Sequence, residues 1–164
     1  MIRGAAWRVG LAAGALTFLA DQASKWWILE IARLPEIRRI DVLPVLSLTM
    51  VWNQGVTFGL MSGFGEYGFL ALTLVSLGVV AALGVWLARA ESAVVGAAIG
   101  AIAGGALGNA LDRLRFGAVV DFLHAHVATP WGELSWYVFN VADAAIVCGV
   151  AVLVVDSWRP LGRG

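Results

Sequence analysis

Gly96-Ala-Ala-Ile-Gly100-Ala-Ile-Ala-Gly104-Gly-Ala-Leu-Gly108-Asn-Ala-Leu-Asp-Arg113 is the stretch on which the fold of this chain turns. The run from Ser92 to Leu111 supplies the roughly 20 mainly apolar residues that a helix needs to cross about 30 Å of hydrocarbon. Its glycines recur every four positions with Ala97, Ala101 and Gly105 beside them, so one face is poor in side chains and lets a second helix approach closely. A phosphate-binding loop is excluded, because such glycines sit on a turn between strand and helix with a Lys-Ser/Thr nearby. The span ends on Asn109, Asp112 and Arg113, groups that are costly at membrane depth.

Working outward, three more stretches meet the same length requirement: Trp7 to Trp27, Gly68 to Leu87 and Trp136 to Val155. The predicted fold is an all-α integral membrane protein, a single domain over residues 1–164 with four transmembrane helices, a small extramembrane β element and a short interfacial segment. Only a few residues around Arg89 and Glu91 join the second span to the third, which makes them an antiparallel hairpin and puts both long connections on one side. The first connection, about Ala32 to Tyr67, alternates imperfectly between Pro44 and Asn53 and predicts short strands. The second, about Asp112 to Ser135, predicts a re-entrant or interfacial turn carrying Val119, Val120, Phe122 and Leu123. Indole prefers the headgroup level, and the tryptophans sort accordingly: Trp7, Trp86 and Trp158 at one face, Trp26, Trp27, Trp131 and Trp136 at the other.

Composition agrees, since 60% hydrophobic and 13% charged residues in a 164-residue chain suit the bilayer better than water. The charge is balanced, 11 basic against 11 acidic residues, and without a Lys/Arg run nucleic acid is not an expected partner. The lone Cys148 can form no intramolecular disulfide and is expected as a buried small hydrophobe. Arg3 and Arg8 precede an apolar run as in a secretory signal, but Phe18 stands where a small residue is needed for cleavage after Ala20, which predicts a retained first helix. Basic residues are denser on the short-loop side, which favours cytoplasmic termini with the long connections outside.

Four polar sets remain to be explained. Asp21 and Lys25 lie four apart on one helix face and can pair. Asn109, Asp112 and Arg113 suit either helix-end hydrogen bonding or substrate contact, with Arg113 able to fork to a carboxylate or a backbone carbonyl. Asp121, flanked by apolar residues, is either a surface carboxylate or a functional one, and Asn140 and Asp143 share a face one turn apart at the start of the fourth span. If Asp121 and Asp143 face each other in a poorly hydrated site, they cannot easily both ionise and share a proton. The ionised partner then takes a proton from an attacking water while the protonated one donates toward the scissile carbonyl oxygen, and neither metal nor cofactor is needed. His124 and His126 lack the third spaced ligand of a zinc site, and neither Cys148 nor any serine has the surroundings of an activated nucleophile. A proton-coupled carrier built around Asp143, or a non-catalytic assembly protein built on the glycine face, are the rival readings.

Asp21-Gln-Ala-Ser-Lys25, Asn53-Gln-Gly-Val-Thr-Phe58, Gly104-Gly-Ala-Leu-Gly-Asn-Ala-Leu-Asp-Arg113 leading to Val119-Val-Asp-Phe122, and Phe139-Asn-Val-Ala-Asp143 together resemble the lipoprotein signal peptidases, or signal peptidase II, across nearly the whole chain. The resemblance implies an intramembrane aspartic endopeptidase of the bacterial cytoplasmic membrane that removes signal peptides from diacylglyceryl-modified prolipoproteins, cutting just before the lipidated cysteine. It implies Asp121 and Asp143 as the catalytic dyad near the outer face, Asn53, Asn109, Arg113 and Asn140 as substrate-binding or hydrogen-bonding positions, and Asp21, Lys25 and Asp112 as structural supports. Partners implied are the prolipoproteins and membrane lipid, with the chain acting as a monomer. Val56 and Thr57 replace two alanines of the family's usual Asn-x-Gly-Ala-Ala-Phe, a departure in the extramembrane cover.

Overall fold

The computed structural model of the chain describes residues 2–55 and 68–158. In chain order these form α1 (Ile2–Trp26), which runs on through a π-helical turn (Trp27–Ile31), α2 (Leu34–Ile37), β1 (Arg39–Leu43), β2 (Leu46–Asn53), α3 (Gly68–Leu87), α4 (Ala93–Phe116), β3 (Val119–Thr129), β4 (Gly132–Ser135) and α5 (Val141–Ser157). Val56, Thr57 and Phe58 lie outside the described residues.

The glycine face of α4 is the axis of the bundle. A Cβ placed on Gly96, Gly100 or Gly104 would run into the carbonyl oxygens of Ala6, Gly10 and Gly14 respectively, so α1 and α4 touch backbone to backbone. Because both sets of positions rise together, the two helices run parallel. On another side of α4, Gly105 meets the carbonyl of Ala142, and Gly149 meets Ala98 and Ile102, which sets α5 antiparallel to α4. The α3–α4 turn is tight, with Ser92 capping α4 by accepting from the Val95 N–H at 3.5 Å. The long connections after α1 and α4 therefore emerge at the same end, as the loop lengths predict.

Among the described residues two helices, α3 and α4, are long and apolar enough to cross a membrane. In α3 only Thr73 and Leu87 are buried, and Leu74 and Val75 face outward, the pattern of a helix whose surroundings are as apolar as its core. Cys148 is exposed on α5 rather than buried as expected, which is no penalty for a small apolar thiol on an apolar exterior.

The second connection departs from its predicted form: the fold is mostly helical with a small sheet, as expected, but that sheet draws on both long connections. Instead of a re-entrant or interfacial turn the second one supplies β3 and β4, and with β1 and β2 these make one four-stranded antiparallel sheet in the order β1-β2-β3-β4. Gly117, at φ 70°, ends α4 in the left-handed conformation, and the chain then pairs Val119, Val120 and Asp121 against Asn53, Trp52 and Val51 of β2. Pairing to a strand dozens of residues upstream is invisible to local pattern, and Asp121, His124 and His126 interrupt the apolar alternation. The helix limits shift as well. The third helix continues to Phe116, and the last begins at Val141, because residues before it bond to β3: Phe139 N–H to Leu123 O at 3.0 Å and Trp136 N–H to Ala125 O at 2.8 Å. A core of Ile28, Leu34, Val120 and Phe122 packs the sheet onto the π-helical turn and α2.

Candidate active site

Four elements converge where the sheet meets the bundle. The last turns of α4 carry Asn109, Asp112 and Arg113, the start of β3 carries Asp121, the start of α5 carries Asn140 and Asp143, and the end of β2 carries Asn53. From below, α1 contributes Asp21, Gln22 and Lys25. Asp21, Lys25, Asp112, Asp121 and Asn140 are all at most 2% exposed, burial that polar groups tolerate only when paired.

Asn140 organises the acidic pair. As N-cap of α5 its Oδ1 accepts the Asp143 N–H at 2.9 Å, while Asp143 Oδ2 reaches back to the Asn140 N–H at 3.3 Å, a reciprocal capping box. The free end of the Asn140 amide, Nδ2, then donates to Asp121 Oδ1 at 2.7 Å and to Asn109 Oδ1 at 3.0 Å. Asn109 Nδ2 donates to Asp143 Oδ1 at 2.8 Å, and Asn53 Nδ2 donates to Asp121 Oδ2 at 2.8 Å. Both aspartates are thus held by neutral amides, two of which touch each other.

Among the described residues no cation forms an ion pair with either aspartate, although Lys25 and Arg113 lie close enough for their charges to be felt there. Lys25 Nζ is 2.8 Å from Asp21 Oδ2 and 2.7 Å from Asp112 Oδ2, so its charge serves that pair. Arg113 Nη1 donates to the Asn109 backbone carbonyl at 3.4 Å, taking the carbonyl rather than the carboxylate alternative, and its Nε is buried without a partner among the described residues. Burial pushes the Asp121 carboxyl up to about 6; the nearby Asp143 charge adds to this, and the hydrogen bonds from Asn53 and Asn140 oppose it.

Asp21 and Asp112 reach the neighbourhood of the two aspartates through the backbone. Asp21 Oδ1 accepts the Ala142 N–H at 3.0 Å, one of the orphan amides at the start of α5, and Asp112 Oδ2 accepts the Val120 N–H at 3.1 Å, next to Asp121. Gln22, not singled out from the sequence, bridges this set: its Nε2 lies 3.1 Å from Asp21 Oδ2, 3.1 Å from Asp112 Oδ1 and 3.3 Å from the Gly108 carbonyl. A polar residue three positions before Lys25, within an apolar span, was the available signal.

All nine positions selected from the sequence therefore meet in one polar network. The two histidines belong to the sheet instead. His124 Nδ1 lies 3.4 Å from Thr49 Oγ1 and 3.5 Å from Ser47 Oγ, and His126 sits between Arg39, at 3.4 Å, and Glu133, at 3.8 Å.

The comparisons with known proteins bear on the same residues. The family model described as "Signal peptidase (SPase) II" matches residues 13–159. The lipoprotein signal peptidase of Methylorubrum extorquens is 49% identical over 158 residues, covering 96% of this chain and 90% of that protein. The lipoprotein signal peptidase of Rhodopseudomonas palustris is 41% identical over 150 residues, covering 92% of each chain. Among solved structures, a bacterial membrane enzyme determined by the in meso method at 1.9 Å resolution superposes with a TM-score of 0.77 at 23% identity, covering 92% of this chain and 93% of that one, and so shares the fold. With matches of this extent and identity, the chain belongs to the signal peptidase II family, membrane-embedded bacterial peptidases that remove signal peptides from prolipoproteins.

Proposed function

We propose that Asp121 and Asp143 are the catalytic dyad of this peptidase and that it cuts diacylglyceryl-modified prolipoproteins just before the lipidated cysteine. The observation that carries the reading is the shared amide bridge: two carboxyl groups from β3 and α5, both bound to Asn140, with neither in an ion pair among the described residues. A carrier built around one protonating acid has no use for the second.

The chemistry follows from one proton on the pair. Asp121, whose carboxyl is pushed up to about 6, holds it; Asp143 is the base. Water attacks the scissile carbonyl carbon and gives a proton to Asp143 while Asp121 gives its own to the carbonyl oxygen, forming a neutral tetrahedral diol. As the diol collapses, the C–N bond breaks, the leaving nitrogen takes the proton from Asp143, and one hydroxyl proton returns to Asp121. Arg113, whose buried Nε has no partner among the described residues, and Asn53 on the sheet side would hold the substrate backbone. Because one chain supplies every residue of the site, a monomer suffices.

The helices α1, α3, α4 and α5 are read as four spans, with both termini cytoplasmic and the dyad near the outer face. Trp26, Trp27, Trp131 and Trp136 are exposed at the sheet end, and Trp7, Trp86 and Trp158 at the other, as two headgroup belts require.

The test is cleavage of a diacylglyceryl-modified precursor by purified protein in detergent or lipid. Asp121→Asn and Asp143→Asn are each expected to lose about 10³-fold or more in kcat, and chelators to leave turnover intact. Wild-type rates in both variants would overturn the dyad.

A further inference from the structure

We propose that Lys25 is a positioning residue for the dyad, acting through Asn109: it turns the Asn109 side-chain amide so that its N–H end, not its carbonyl end, meets Asp143. This rests on the dyad reading above.

The two ends of an asparagine amide are nearly the same shape, so only their partners decide which way it faces. Lys25 Nζ can only donate, and it lies 3.0 Å from Asn109 Oδ1, which makes that atom the oxygen. Asn140 Nδ2 donates to the same oxygen, and it does so because its own carbonyl is occupied by the Asp143 N–H. Nδ2 of Asn109 is therefore left for Asp143 Oδ1.

The ammonium has three hydrogens and three acceptors, Asp21, Asp112 and Asn109, so its direction is set as well. Two buried carboxylates around one buried ammonium are a costly way to hold α1 against α4, which well-packed apolar side chains achieve at less cost. What apolar side chains could not do is orient an amide. The charged groups facing this point are Asp21 and Lys25 from α1, Asp112 and Arg113 from α4, Asp121 from β3 and Asp143 from α5. Lys25 also acts on Asp121 directly, its charge opposing the effect of burial there.

Without Lys25 only Asn140 Nδ2 still holds the Asn109 oxygen, and the amide turns its carbonyl to Asp143 in part of the population, a geometry that suits only a protonated carboxyl and leaves those molecules without a base. Turnover then falls while substrate binding, made by other groups, persists.

The experiment uses the full-length protein in lipid with a diacylglyceryl lipopeptide. It compares Lys25→Arg, which keeps the charge but not the single N–H on Asn109, with Lys25→Met/Asp112→Asn, which keeps the net charge of the buried cluster. Expected are losses in kcat of about tenfold and about 100-fold respectively, with KM unchanged. In the double variant the alkaline limb of kcat/KM, set by loss of the Asp121 proton, moves to higher pH. Normal kcat in Lys25→Arg, together with a double variant that either fails to fold or keeps the wild-type pH profile, would show Lys25 to be a packing residue and overturn the inference. Asp121→Asn and Asp143→Asn run alongside: if they stay active, the dyad itself falls, whereas if they are inactive and the Lys25 variants behave as wild type, only the role of Lys25 falls.

Discussion

Asp121 shows how the site and the stability of the protein are linked through one side chain. In the unfolded chain its carboxyl titrates near 3.8, but burial beside Asp143 raises it to about 6 in the folded protein. Between those values the native state binds a proton more tightly than the unfolded state does. Stability from this group is therefore fully present below about 4 and is lost as pH rises through about 6. A shift of this size corresponds to something on the order of 3 kcal/mol. Thermal unfolding in detergent from pH 4 to pH 7 should show the wild type losing stability over this window and Asp121→Asn losing markedly less. Parallel curves for the two proteins would refute the account. In the proposed mechanism the carboxyl is kept in spite of this cost because a proton held near neutrality is what the hydrolysis would use.

At the scale of the element, the α1–α4 contact depends on missing side chains. Gly100 sits where any Cβ would strike the Gly10 carbonyl, so Gly100→Ala must push the helices apart. Overpacking of this kind costs about 1–3 kcal/mol, and here it would also move Asp21 and Lys25 relative to Asn109 and Asp112. We expect a lowered thermal midpoint and a fall in turnover together. Gly78 in α3 has open space around its absent Cβ, and Gly78→Ala should leave activity alone and stabilise by up to about 1 kcal/mol through helix propensity. If the two substitutions behave alike, close backbone contact is not what joins these helices. The end of α5 follows the same logic in polar form, since its first amides are satisfied by Asn140 and, from α1, by Asp21.

For the molecule as a whole, the four-stranded sheet lies at one end of a bundle whose helices expose apolar side chains almost everywhere. The proposed topology puts that sheet on the outer side of the cytoplasmic membrane. In a Cys148→Ser background, Thr129→Cys near the β3–β4 turn should react with a membrane-impermeant thiol reagent in intact spheroplasts, and Ala88→Cys, exposed at the α3–α4 turn, only after permeabilisation. The reverse pattern would invert the orientation and put the dyad at the cytoplasmic face. Charge alone decides this weakly because arginines occur at both ends, whereas the two sets of exposed tryptophans agree with the span ends.

Much was legible from residue order alone. The apolar runs, the four-residue glycine spacing and the lengths of the connections determined where the long helices lie, which face of the third can be packed closely and that both long connections share one end, because these are local or periodic properties. Eight of the nine polar positions stood out because polar and charged groups within or beside apolar spans demand a reason, and Asn53 came from the family resemblance alone. Only the tertiary structure decided that Asp121 lies on a strand, that the Asn140 amide joins it to Asp143, that Arg113 bonds a carbonyl and that Gln22 completes the buried set. Each of these depends on pairing between segments far apart in the chain: β2 with β3, and α1 with both α4 and α5. Strand pairing uses backbone hydrogen bonds that any residues could make, and the glycine spacing marks a face of α4 without naming the helix that covers it, so neither set of partners is written in the local sequence.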